Sequence, residues 1–298
     1  MSSRRDETWQ DTFAFHLYRS AAWLARTLPE TLGRWIFRRA GLLAFELAPR
    51  TRSVVARNQA QVLGRSPGDL LVRTSTREAF ASYARYWFDS FRFAVISSDS
   101  VAARFETIDA HHLWEALDAG RGAIVALPHI GNWDAAGTWL RALDRPAVAV
   151  AERLRPERLY ELFVANRVSF GVEMLGLGDA GIGRALASKL EAGYIVALVA
   201  DRDLTGRGVE VTMFGRTRRM PAGPALLSLT TGAPLIVTPV FQTENGWKCV
   251  MTPPLTIEPT GDRRADTRAL TQRMAEEFER SIAAAPTDWH MFQPAWED

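Results

Sequence analysis

With one cysteine in 298 residues the chain cannot form an internal disulfide. Cys249 lies in an apolar, strand-like run, so its thiol is expected to be buried and inert, in a reducing compartment. Long hydrophobic runs are missing too. No stretch of about 18 uncharged apolar residues occurs, which excludes a spanning helix. The nearest approach, residues 122–140, holds Pro128, His129, Gly131, Asn132 and Asp134, groups too costly to leave in hydrocarbon, and reads instead as strand, turn and helix. The opening MSSRRDETWQD leads into interrupted hydrophobicity rather than the continuous core of a secretory signal. Metal-ligand spacing is absent around His16, His111, His112 and His290, which disfavours metal catalysis. There is no G-x-S-x-G elbow, Rossmann fingerprint or Walker A loop; Gly176, Gly178, Gly181 and Gly183 form a loose turn. Internal repeats and low-complexity linkers are lacking as well.

A 47% hydrophobic and 23% charged chain is ordinary globular protein, which leaves the α/β class open. Nucleic acid is not an expected partner, because net charge is only +2 and no recognition motif occurs. The basic excess is local. Residues 1–65 carry 11 arginines against 5 acids, on helix-type periodicity that includes Trp23, Leu24, Trp35, Phe37, Leu43 and Leu47. Two helices split near Pro29 fit this stretch. Bulky apolar residues on one face with arginines on the other suit a helix lying in an anionic leaflet, and equally a core-packed pair with a solvated basic face. Residues 1–65 thus form an expected membrane-facing segment before a core of residues 66–298, within one structural domain. An aromatic helix over residues 72–98 is expected to pack in the core.

Beyond Phe105, short apolar runs alternate with amphipathic helices: GAIVALPH, AVAVAE, VEML, YIVALVAD and LIVTPVFQ read as strands, with helices from about Asp134, Pro156, Gly181, Ala222 and Arg264. This pattern predicts a mixed, mainly parallel sheet flanked by helices, with functional residues at strand carboxyl ends. His129 and Asp201 both stand at such ends. Asp134 follows five positions after His129, with Gly131 and Asn132 supplying a turn into a helix whose first amides are free. An imidazole can take a proton from a hydroxyl near neutral pH, and it needs a partner to fix its tautomer. Asp134, Asp201 and Asp203 are the candidates, and Arg202 is placed to neutralise whichever acid of its pair is left over.

PHIGNWD, ADRDLTGRGVEVTMFG, RRMPAGPALLSLTTGAPLIVTPVF and DWHMFQPAW occur in that order over nearly the whole chain. Together they resemble the bacterial lipid A/phosphatidylinositol mannoside acyltransferases of the lysophospholipid acyltransferase superfamily, and within it the actinobacterial phosphatidylinositol mannoside acyltransferases. The resemblance implies His129 as general base, Asp134 as completing the motif, and a relay acid from Asp201-Arg202-Asp203. By distance from His129 the relay is Asp203 first and Asp201 second. Where some members of the family carry glutamate at the relay, this chain has aspartate, shorter by one methylene. The resemblance also implies acceptor-lining roles for Glu152 and Arg167, with an oxyanion held by backbone amides near Gly131 and Asn132 or by a basic side chain. Arg216, Arg218 and Arg219, just before MPAG, are placed either to bind the CoA or lipid phosphates or to form an exposed basic turn. No cofactor or metal is implied. Acyl-CoA is the expected donor, a sugar hydroxyl of a phosphatidylinositol mannoside the acceptor, and the cytoplasmic face of the cell membrane the site of action. A lipid A-type acceptor, an acyl carrier protein donor or a non-catalytic lipid-binding protein are the competing readings.

Overall fold

The computed structural model describes residues 8–296. The opening MSSRRDE, with two of the 11 arginines counted above, lies outside them. Thr8 starts α1 (Trp9–Thr27) with a capping box, its hydroxyl accepting from the Asp11 amide while the Asp11 carboxylate accepts from the Thr8 amide. The two helices expected before residue 65 are three, because α2 (Glu30–Leu47) and α3 (Pro49–Leu63) are separate. Proline at the first position of α3 has no N–H for the preceding turn and drives Ala48 out of helical geometry. Asp69 caps α4 (Leu70–Arg92), which stops short of residue 98; Ser97 then caps the single turn of α5 (Ser98–Ala102).

α2 and α4 pack closely because α2 carries glycine at the crossing. A Cβ on Gly33 would stand 2.3 Å from the Phe88 ring, and one on Gly41 would stand 2.5 Å from the Phe80 carbonyl oxygen. The amino-terminal helices are therefore joined to the rest through α4 rather than tethered as a separate arm.

After α5 the chain alternates as β1 (Phe105–Ile108), α6 (His111–Asp118), β2 (Ala123–Leu127), α7 (Trp133–Ala142), β3 (Ala147–Ala151), α8 (Glu157–Ser169), β4 (Val172–Gly176), α9 (Ile182–Glu191) and β5 (Ile195–Val199). A hairpin of β6 (Val209–Met213) and β7 (Arg216–Met220) precedes α10 (Gly223–Thr231), β8 (Leu235–Val237), β9 (Val240–Gln242), β10 (Trp247–Val250) and α11 (Arg263–Ala284). Five strands form a wholly parallel sheet in the order β4-β3-β5-β2-β8. Among the named strands of the described residues, antiparallel pairing occurs in the hairpin and between β10 and β9 of a small β1-β10-β9 sheet. LIVTPVFQ is not one strand. Pro239 cannot donate to a ladder, and the run breaks there into β8 and β9, which join different sheets.

Side chains alternate across the main sheet. Ile124, Ala126, Val148 and Val196 face a core built with α9, α10 and the Leu270, Met274 and Phe278 stripe of α11. Ala123, Val125, Leu127, Ala147 and Ile195 face the other core, under α6 and α7. Replacing Gly41 by Val pushes a branched side chain into the α4 backbone, so we expect a destabilisation of roughly 2 kcal/mol, a fall in thermal midpoint of about 4–8 °C. An unchanged melting curve would show that the α2–α4 crossing is not close-packed.

Candidate active site

β2 and β5 lie side by side in parallel, with Leu127 opposite Val199. His129 and Asp201 are each two residues beyond that pair, so the register brings them together. The His129 Nδ1 donates to Asp201 Oδ1, and the His129 backbone N–H donates to Asp201 Oδ2 at 3.0 Å. Asp203, two residues further along, is out of reach and does not touch His129. Its carboxylate closes its own loop, accepting from the amide and hydroxyl of Thr205 at 3.0 Å and from the Gly208 amide at 2.6 Å. The expected order of the two acids is thus reversed, since counting along the chain ignores the strand register.

Asp201 is fully buried and has further partners. The indole Nε1 of Trp289 donates to its Oδ2 at 2.9 Å, and the Arg218 guanidinium donates to its backbone carbonyl. Burial alone would push the Asp201 carboxyl up, but the His129 ring and the N–H donors hold it well below the usual carboxylate range. Burial pushes His129 below its ordinary value, against the pull of Asp201. A proton on Nδ1 leaves Nε2 as the basic nitrogen of a ring that is 14% exposed and set edge-on to Trp133. The carboxy-terminal segment also fixes the His129 loop from its other side, where the His290 amide donates to the His129 carbonyl at 2.7 Å and Ile130 bridges to Trp289.

Asp134 does not orient His129. Its Oδ2 accepts from Arg167 at 3.0 Å and from the Tyr86 hydroxyl at 3.1 Å, and Arg167 also donates to the Tyr86 oxygen at 2.9 Å. All three are buried, and Arg167 lies over the Phe163 ring. Burial works against the Arg167 charge, but Asp134 and Tyr86 hold its pKa above the ordinary value. The motif pair therefore splits, with His129 on one buried acid and Asp134 on a buried cation.

Gly131 sits at φ 58° with its backbone against β9; a Cβ there would stand 1.8 Å from the Val240 carbonyl oxygen, so only glycine fits. The buried Asn132 caps α7 by accepting from the Ala135 amide at 3.3 Å. Their own amides are committed: Gly131 N–H donates to the Asp288 carbonyl at 2.8 Å and Asn132 N–H to the Val240 carbonyl at 2.9 Å. Neither is free for an oxyanion. Arg202 pairs with Glu152 at 3.5 Å rather than with a neighbouring aspartate, and its buried Nε has no hydrogen-bond partner among the described residues. Arg219 lies on β7 away from His129, donating to the Gly208 carbonyl and pairing with Glu210, and does not line the cavity at the site. Arg218 is the buried member of that arginine run, stacked near Trp296.

Trp289, Tyr86 and Arg218 are the contacts that sequence reasoning misses. Tyr86 reads as core packing. Trp289 stands in the conspicuous tail DWHMFQPAW, but nothing in its spacing points to Asp201.

His129, Glu152, Arg202, Asp134 and Arg167 all border one cavity of about 760 Å³, otherwise walled mainly by apolar side chains that include Trp133, Trp139 and Leu140. An imidazole with a free basic nitrogen bordering a large apolar cavity can deprotonate a hydroxyl beside an apolar chain. Residues 6–298 match the model of the bacterial lipid A biosynthesis acyltransferases. The chain belongs to that family. It is similar to the phosphatidylinositol mannoside acyltransferase of Mycolicibacterium smegmatis, with 41% identity over 283 residues covering 93% of this chain and 90% of the relative. To the protein of that name from Mycobacterium tuberculosis it is 40% identical over 286 residues, covering 93% and 87%.

Replacing Asp134 by Ala leaves the Arg167 guanidinium buried without its counter-charge, and we expect a loss of about 3 kcal/mol in thermal or urea unfolding. The double variant Asp134→Ala with Arg167→Met should recover most of that loss. Equal stability of the single and double variants would mean that the pair is not desolvated.

Proposed function

We propose that the protein moves a fatty acyl group from acyl-CoA to a sugar hydroxyl of a phosphatidylinositol mannoside, with His129 as general base. The observation that carries this reading is the His129–Asp201 pair opening onto an apolar cavity, in a chain so similar to two enzymes of that name. Nε2 of His129 takes the hydroxyl proton as the oxygen attacks the thioester carbonyl carbon; the tetrahedral centre collapses, the C–S bond breaks, and the imidazolium returns the proton to the departing thiolate. Asp201 holds the ring in the Nδ1–H tautomer and stabilises the imidazolium. Arg202, which borders the cavity with His129, is the donor for the oxyanion, since the amides of Gly131 and Asn132 are occupied. Glu152 positions Arg202, and Arg167 with Asp134 shapes the acceptor side. No cofactor enters this scheme.

The test is purified enzyme with palmitoyl-CoA and phosphatidylinositol dimannoside, followed by mass spectrometry of the lipid. His129→Ala should abolish transfer with the fold preserved, and Asp201→Asn should lower kcat by about 10³-fold or more, as expected for a wrong tautomer. Asp203→Asn should keep most activity. Full turnover in His129→Ala would end the reading. Because burial lowers the His129 pKa, the base stays neutral below pH 6.5, so the acid limb of the kcat/KM profile should fall below that value; an acid limb above it would contradict the assigned environment.

We further propose that the enzyme works as a peripheral protein on the cytoplasmic face of the cell membrane, bound through α1 and α2. Trp9 and Trp23 are 76% and 63% exposed, Phe13, Leu17, Trp35, Leu43 and Leu47 are also exposed, and Arg39 lies over the Trp35 ring. No helix of the described residues is long and apolar enough to cross a membrane. Changing Trp23 and Trp35 to Glu should weaken binding to anionic liposomes at least about tenfold while leaving the melting temperature in place. Undiminished binding would put the contact elsewhere.

A further inference from the structure

The inner strands of a parallel sheet are normally covered on both faces, yet β3 and β5 are partly exposed on both. Ala149 and Ala197 face the α7 side, Val150 and Leu198 face the α9 and α10 side, and all four border the cavity. The cavity thus has two arms that meet at the strand exits beside His129, Glu152 and Arg202. The α7 arm runs under small side chains to a floor of buried Leu113, Trp139, Leu140 and Ile195, so it ends blind. The second arm lies between α9 and α10 and stays open. Its rim includes Leu226, 43% exposed, and Leu177, 36% exposed, and a side chain built on Gly183 would meet nothing within 4 Å.

We propose that the open arm binds a hydrocarbon chain of the acceptor lipid, while the blind arm holds the acyl chain being transferred. This rests on the acyl-transfer reading above. Two lipids must then meet at His129 Nε2, each bringing an apolar chain, and a single blind arm cannot take both. The blind arm fits a chain whose reacting end is its thioester, because the chain enters methyl-first and stops at the floor. The open arm admits sideways a chain that continues into a larger polar headgroup, and its continuity with the Glu152–Arg202 pair leaves the sugar between the two arms. Each methylene buried there strengthens binding roughly fourfold, so blocking a few of them is measurable.

Leu226→Arg puts a charge in the open arm, and Gly183→Leu fills the same arm without one. Each variant is assayed with diacylated phosphatidylinositol dimannoside and with its deacylated, water-soluble counterpart, alongside acyl-CoA hydrolysis without acceptor. Both variants should raise the KM for the diacylated acceptor at least about tenfold, leaving the KM for the deacylated acceptor, acyl-CoA hydrolysis and liposome binding unchanged. An equal shift for both acceptors, a shift in the KM for acyl-CoA, or a matching loss of liposome binding would overturn the assignment, the last making the groove a bilayer contact. Wild-type enzyme that hydrolyses the thioester but acylates neither acceptor refutes the acyl-transfer reading itself. Transfer to both acceptors with the same KM refutes only the second lipid arm.

Discussion

A carboxylate sealed from water is tolerated only when its charge is met, and Asp201 is met from several directions at once. The His129 ring, the His129 amide and the Trp289 indole take up its oxygens, while Arg218 holds its carbonyl. Those donors come from the exit of β2, the hairpin and the carboxy-terminal segment, and Asp201 itself stands at the exit of β5. Four parts of the chain that are far apart in sequence are thereby drawn to one buried charge. The same charge fixes which ring nitrogen of His129 faces the cavity, so this buried network and the chemistry proposed for it are one arrangement.

A second buried charge does separate work. Asp134 meets Arg167 and Tyr86 at the start of α7, joining that helix to α8 and to the aromatic helix α4. Its motif partner His129 lies five positions earlier, but the two side chains serve different ion pairs. The close H-x-x-x-x-D spacing is therefore the sequence trace of a tight strand-to-helix turn, with Gly131 against β9 and Asn132 as cap, that sends one residue to the sheet and the other to the helices. Glu152 and Arg202 form a third pair that borders the cavity, more exposed than the other two and so easier to open.

The buried strands, the crossover helices and His129 at a strand exit could all be read from apolar runs and turn residues, because these depend on local patterning. The break in LIVTPVFQ is masked by apolar residues on both sides, although Pro239 is the residue that causes it. What patterning could not supply is register. Asp201 and Asp203 are equivalent along the chain, and only the pairing of Leu127 with Val199 chooses between them. Trp289 and Tyr86 stayed hidden for a related reason. Their polar atoms reach partners 88 and 48 residues away, a distance at which no spacing rule applies. The hairpin β6–β7 is not legible because its alternation carries arginines, a pattern that reads as a phosphate-binding turn; one of them, Arg218, is instead buried behind Asp201.

The exposed aromatic faces of α1 and α2 and the double-armed cavity are both apolar surface kept clear of the core, at a cost in stability that a purely structural protein would have no reason to bear. All of it serves the chemistry only if the imidazole at the junction is neutral and correctly oriented. Nitrogen-15 NMR of histidine-labelled protein at neutral pH tests this directly. The account predicts one ring, lost in His129→Ala, with a protonated Nδ1 and a pyridine-type Nε2, and predicts that Asp201→Asn abolishes that signature. A His129 ring that is an imidazolium at neutral pH, or that carries its proton on Nε2, would contradict it.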